Sequence, residues 1–256
     1  MPPVRRRLAL VSACAALLVT AQAAVADSTR VRELGEYSDN PMPKASCPAP
    51  PGTPADSPNQ CFVMARVTGA AMQIGNHHSP FRVRKAGNIV AITLQLSKPS
   101  TTEIDYFKTT FGGDKKNPNT PYGDAPQIQV AIIKSLHKKQ RFMLMRHSAT
   151  YDVEDYLGST YTFALRAPLR IHKDEIVALT VPTWLPALGH PLDSKNAWRA
   201  SYRDTECNPA PGKPRPSRPH TKDGTYKQYG CFFRFERPLY TATYVPDADK
   251  TSASSK

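Results

Sequence analysis

The chain has 256 residues, 40% of them hydrophobic and 21% charged, and 34 Lys/Arg against 21 Asp/Glu give it a net charge of +13. That charge points to acidic partners and away from basic ones. Twenty-five prolines, near twice the usual ~5%, crowd into Pro41–Pro58 and Pro209–Pro219, which excludes both stretches from a sheet ladder.

The N-terminus reads Arg5-Arg6-Arg7, then an apolar run from Leu8 to Ala24, then Ala24-Val25-Ala26 before Asp27. Basic, apolar and small-x-small regions in that order describe a secretory signal peptide, cleaved after Ala26. Ser12, Thr20 and Gln22 interrupt the apolar run, so no transmembrane anchor is expected in the mature chain. Val11-Ser12-Ala13-Cys14 loosely resembles a lipoprotein box, but the apolar run continues past Cys14. Cleavage removes three arginines and no acid, lowering the charge from +13 to +10. It leaves Cys47, Cys61, Cys207 and Cys231, which in an exported chain read as two disulfides. Three pairings are open. Nearest-neighbour pairing, Cys47–Cys61 and Cys207–Cys231, closes the shortest loops, each worth about 2–4 kcal/mol.

Residues 27–60 are polar and proline-rich and read as an irregular leader. From residue 61 to 246 short apolar runs recur between turn residues, as in a single domain, and residues 247–256 read as a disordered tail. The expected strands are Phe62–Gly69, Phe81–Arg84, Asn88–Ser97, Ile128–Leu136, Arg141–His147, Thr160–Arg166, Glu175–Val181, Ala197–Tyr202, Phe232–Phe235 and Leu239–Val245. They are rich in Val, Ile, Thr and aromatic residues. No segment sustains a helical period over ten residues, and Tyr151–Leu157 is at most one helical turn. The expected fold is all-β, a two-sheet antiparallel β-sandwich, jelly-roll-like, with disulfide-stapled loops and no long helix after the signal peptide.

Two stretches echo each other: "PFRVRKAGNIVAITL" from Pro80 and "PLRIHKDEIVALTV" from Pro168. Each reads as strand, lysine turn, strand. Alternation predicts Val90, Ile92 and Leu94 on one face, matched by Val177, Leu179 and Val181, with Thr93 and Thr180 on the other. The phrasing of Phe81–Leu96 and Thr162–Val181 resembles uncharacterised exported actinobacterial β-sandwich proteins, and more remotely carbohydrate-binding and surface-anchored jelly rolls. The resemblance spans about residues 62–245 and implies the fold, with glycan binding as its functional hint. No functional residue is transferred from it.

Catalytic signatures are absent: no Gly-x-Ser-x-Gly, no His-Glu-x-x-His, no phosphate loop. His147 and Ser148 are neighbours on a strand and point to opposite faces, a poor start for a triad. His77-His78 and the acids Asp152, Glu154 and Asp155 supply metal-ligand types without a complete set, and no metal or cofactor is expected. Binding chemistry is better represented. Trp184 and Trp198 flank one loop, with Arg199 and Tyr202 following, a pattern suited to a stacking rim for a glycan. Lys138 and Lys139 sit in a hairpin turn, and Lys213, Arg215 and Arg218 lie inside the Cys207–Cys231 loop, where they would steer polyanions. Tyr226, Tyr229 and Phe232 border that loop, so charge alone would also admit non-specific nucleic acid. The sequence thus points to a secreted, extracellular, non-enzymatic protein that binds a glycan or an anionic envelope polymer. The alternatives are a polysaccharide-acting enzyme and a structural surface protein without a small ligand.

Overall fold

A computed structural model describes residues 31–47, 61–112, 122–136, 140–208 and 215–248. The first strands are β1 (Arg32–Leu34), β2 (Met64–Ile74), β3 (His77–His78) and β4 (Gly87–Gln95), followed by helix α1 (Thr101–Phe111). The middle of the chain forms β5 (Gln127–Ser135), β6 (Arg141–His147), β7 (Tyr151–Asp152), β8 (Thr160–Ile171) and β9 (Ile176–Leu185). The last strands are β10 (Leu188–Gly189), β11 (Asn196–Ala200), β12 (Tyr226–Gln228), β13 (Cys231–Arg234), β14 (Arg237–Pro238) and β15 (Tyr240–Pro246). The fold is all-β and antiparallel, as its alternating Val/Ile/Thr-rich segments require. Residues 1–26, the expected signal peptide, lie outside the described residues.

A four-stranded sheet in the order β1-β15-β4-β8 packs on a larger one in the order β12-β6-β5-β9-β2-β11-β13, which also carries β3 on β2 and β7 on β5. The core fills the space between them, with Ile89, Ile92 and Leu94 of β4 meeting Val177, Leu179 and Val181 of β9 in one buried cluster. Strand β9 is buried along its whole length, because both of its faces are covered. Strands β12 and β13 end the large sheet on opposite sides, yet only Tyr229 and Gly230 separate them in sequence. The sheet therefore curls round until its two edges approach, and the corner is tight: a side chain at Gly230 would collide with Asp204.

The two echoed stretches interlock. Arg82 of the first forms a bridge with Ile176 of the second, and Val83 N donates to Glu175 O (3.1 Å) while Val177 N donates to Phe81 O (3.1 Å). Reciprocally, Leu169, Arg170 and Ile171 of the second pair with Ile89, Asn88 and Gly87 of the first. The second copy thus pairs the end of β8 with β4, whereas the expected strand Phe81–Arg84 of the first is no strand and meets β9 through one isolated bridge and its flanking hydrogen bonds. The repeated residues are core contacts: Phe81, Val83 and Ile171 are buried with Ile89 and Val177.

Four expectations change. Val90 does not face the core; the ladder skips it between Ile89 and Ala91, so the bulge brings Ile89 inward in its place. The leader is not wholly irregular, since Arg32–Leu34 pairs with Tyr244–Ala242 as β1, a strand too short to leave a periodic signal. Asp247 belongs to the body rather than a tail: its carboxylate takes two bonds of 2.6 Å from Arg170. And residues 101–111 are helical. Ser100 Oγ accepts from Glu103 N, and the Glu103 carboxylate accepts from Ser100 N (2.7 Å), a capping box that the pattern Ser-x-x-Glu announces. The helix lays Ile104, Phe107 and Phe111 over Trp184, beside the Cys47–Cys61 disulfide. Among the described residues no helix is long and apolar enough to cross a membrane.

Candidate anion-binding cleft

Strand β12 pairs with β6 so that Gln228 lies opposite Arg141 and Tyr226 opposite Met143. That pairing joins Arg141, at the start of β6, to the end of the Cys207–Cys231 loop, far apart in sequence. At the junction is a cleft of about 340 Å³ lined by Arg141, Arg203, Arg218 and Lys227, with Tyr226 and Gln228. Four separate stretches deliver the four cations, and each is held differently. The Arg141 guanidinium lies 4.5 Å over the Tyr226 ring. Arg218 grips Glu206 through Nε and Nη2, the shortest contact being 2.6 Å, which holds the Glu206 carboxyl below its ordinary range. Lys227 Nζ donates to Pro219 O (2.6 Å), and burial pushes its pKa down. Arg203 is exposed at the rim. Ser201 locks the wall by donating to Arg218 O (2.6 Å).

The other expected residues divide between places. Trp184 and Trp198 form no common rim: Trp184 lies opposite Ala65 and Trp198 opposite Ala71, on either side of β2 and about 20 Å apart along it. Trp184 is fully buried under α1, its Nε1 donating to Asp124 O (2.8 Å), so it offers no stacking surface. Arg199 caps the outside of β11, its guanidinium 4.9 Å over Phe232 and its Nη1 donating to Tyr229 O. Tyr229 does not border a surface either; it is buried at the closure of the curl. Lys138, Lys139 and Lys213 lie outside the described residues. Both disulfides join nearest neighbours, Cys47–Cys61 and Cys207–Cys231. His77 pairs with Asp39 (3.0 Å) under a stacked Tyr37, and among the described residues no group of three or more His, Cys, Asp or Glu converges as metal ligands.

Trp198 and Tyr202 do meet, in a second cleft of about 210 Å³ on the other side of the 201–203 segment. Arg215 reaches it as well, its guanidinium 5.3 Å over Phe233 and 5.8 Å over Tyr202 while Nη2 donates to Cys207 O. Glu236 completes it: Trp198 Nε1 donates to Glu236 Oε1 (3.0 Å), and burial raises the carboxyl pKa despite that bond. Sequence reasoning missed Glu236, because nothing in "FFRFERP" distinguishes a buried carboxylate from a solvated one.

No family model matches the chain, and no curated protein or solved structure matches it.

Proposed function

We propose that the protein is an exported, non-enzymatic binding protein for an anionic polymer of the envelope or extracellular space, engaged through the Arg141/Arg203/Arg218/Lys227 cleft. The observation that carries this reading is the convergence of four cations from separate parts of the chain, Arg141, Arg203, Arg218 and Lys227, on one cleft, with Tyr226 interleaved as a stacking surface. Paired cysteines support an oxidising compartment. Titration against a polyuronate, a glycerol-phosphate polymer and single-stranded DNA at rising salt tests it. Affinity for at least one should fall linearly with log salt, and Arg141→Ala and Arg203→Ala should each lower the slope by about one. Binding that is indifferent to both substitutions sinks the assignment.

A polysaccharide-acting enzyme is the second reading, and a groove of about 580 Å³ over the four-stranded sheet favours it. Two carboxylates, Glu33 and Glu36, lie there among Thr93, Gln95, Thr160 and Thr241. Release of reducing ends by the wild type, abolished in Glu36→Gln, would replace the binding reading with this one.

A further inference from the structure

The cleft at Trp198 has a charge order of its own. At about 210 Å³ it holds about seven waters at ~30 Å³ each, the size of one small metabolite rather than an oligosaccharide. Its walls are apolar, from Met64, Val67 and Leu188 to the rings of Phe62, Trp198 and Phe233. Glu236, with a side chain only 13% exposed, spends Oε1 on Trp198. Its Oε2 has His190 Nδ1 at 3.4 Å, and that nitrogen is itself buried without a hydrogen-bond partner. The Glu236 carboxylate thus faces an apolar cleft with one oxygen bonded to Trp198 and the other in only a long contact with His190. A ligand with N–H donors would complete the coordination of that second oxygen. The exposed Arg215 guanidinium, over the Phe233 ring, offers a positive charge at the mouth.

We propose that this cleft binds a small zwitterion, an α-amino acid with an apolar side chain, its ammonium group on the Glu236 carboxylate and its carboxylate at Arg215. A simple cation would meet Arg215 unopposed, and a simple anion would meet Glu236. Only a molecule carrying both charges on an apolar body uses the carboxylate, the apolar walls and the cationic mouth together. Because Glu236 is buried and Arg215 exposed, the ammonium contact is the stronger of the two.

Titration calorimetry of the disulfide-bonded protein with leucine, isocaproic acid (leucine without its amine) and isoamylamine (leucine without its carboxylate) tests the assignment. Leucine should bind saturably, and each truncated analogue about tenfold or more weakly. Glu236→Gln, which keeps an oxygen for Trp198, should weaken leucine about tenfold and leave isocaproic acid unchanged. Arg215→Ala, on the surface, should weaken leucine and leave isoamylamine unchanged. The proposal is overturned if leucine does not bind, if isoamylamine matches it, or if a folded Glu236→Gln binds it as the wild type does. None of these outcomes bears on the anionic polymer, since the two clefts share no residue.

Discussion

His220 is the residue whose chemistry the fold alters most. It lies fully buried within the curl of the large sheet. Its Nε2 faces Thr225 O (3.1 Å), which can only accept, so Nε2 carries the proton and Nδ1 accepts from the Tyr229 hydroxyl (3.2 Å). Its backbone N donates to Thr68 Oγ1, which in turn bonds Thr180 Oγ1. Burial first, and then Lys227, lower its pKa to about 4, against the partial opposition of Thr225 O and Asp223. Below about pH 6.5 the unfolded chain therefore takes up a proton that the folded chain refuses. Stability should fall as pH drops from about 6.5 to 4 and level off below, by about 3 kcal/mol in all. Urea midpoints across that window measure the loss, and His220→Gln should flatten it; an equally steep loss in the variant would clear His220 of the effect.

At the scale of elements, α1 and the Cys207–Cys231 loop each depend on a few contacts. Phe107 seals Trp184, with ring centroids 5.1 Å apart. Phe107→Ala should cost about 3–5 kcal/mol and shift tryptophan emission to the red, whereas Ser100→Ala, which removes the cap alone, should cost about 1 kcal/mol and leave emission unchanged. The disulfide ties Cys207, which lies between Arg203 and Arg218 in the chain, to Cys231 at the start of β13. Replacing Cys207 and Cys231 by Ala should lower stability by about 3 kcal/mol and weaken polyanion binding in the same protein. Anion affinity that survives unchanged would mean that β12 and β6 position the cleft unaided. Strand alternation located β5 and β6 to within a residue, because each of them has a buried face, and stopped five residues short on β8, of which only Phe163 and Ile171 are buried. It misplaced Val90 because a bulge resets the period by one residue. It missed α1 because the helix is only eleven residues long and its apolar stripe is three side chains wide.

For the whole molecule, the echo at Pro80 and Pro168 is the clearest instance of a sequence signal whose meaning lies in three dimensions. The similarity predicted two like elements, and the structure makes them partners, the end of β8 pairing with β4 while the segment around Arg82 bridges to β9. The same division holds for the candidate sites. The basic excess, the two sets of paired cysteines and the all-β class were legible residue by residue, since charge, thiol count and alternation are local properties. Their convergence was not. Whether Arg141 meets Arg218, whether Trp198 meets Glu236 rather than Trp184, and which tyrosine is buried depend on the curl that brings β12 and β13 to one corner. That curl is set by strand order and by long-range pairing, in which β6 finds β12 across some eighty residues, and no local pattern of side chains encodes such a distance.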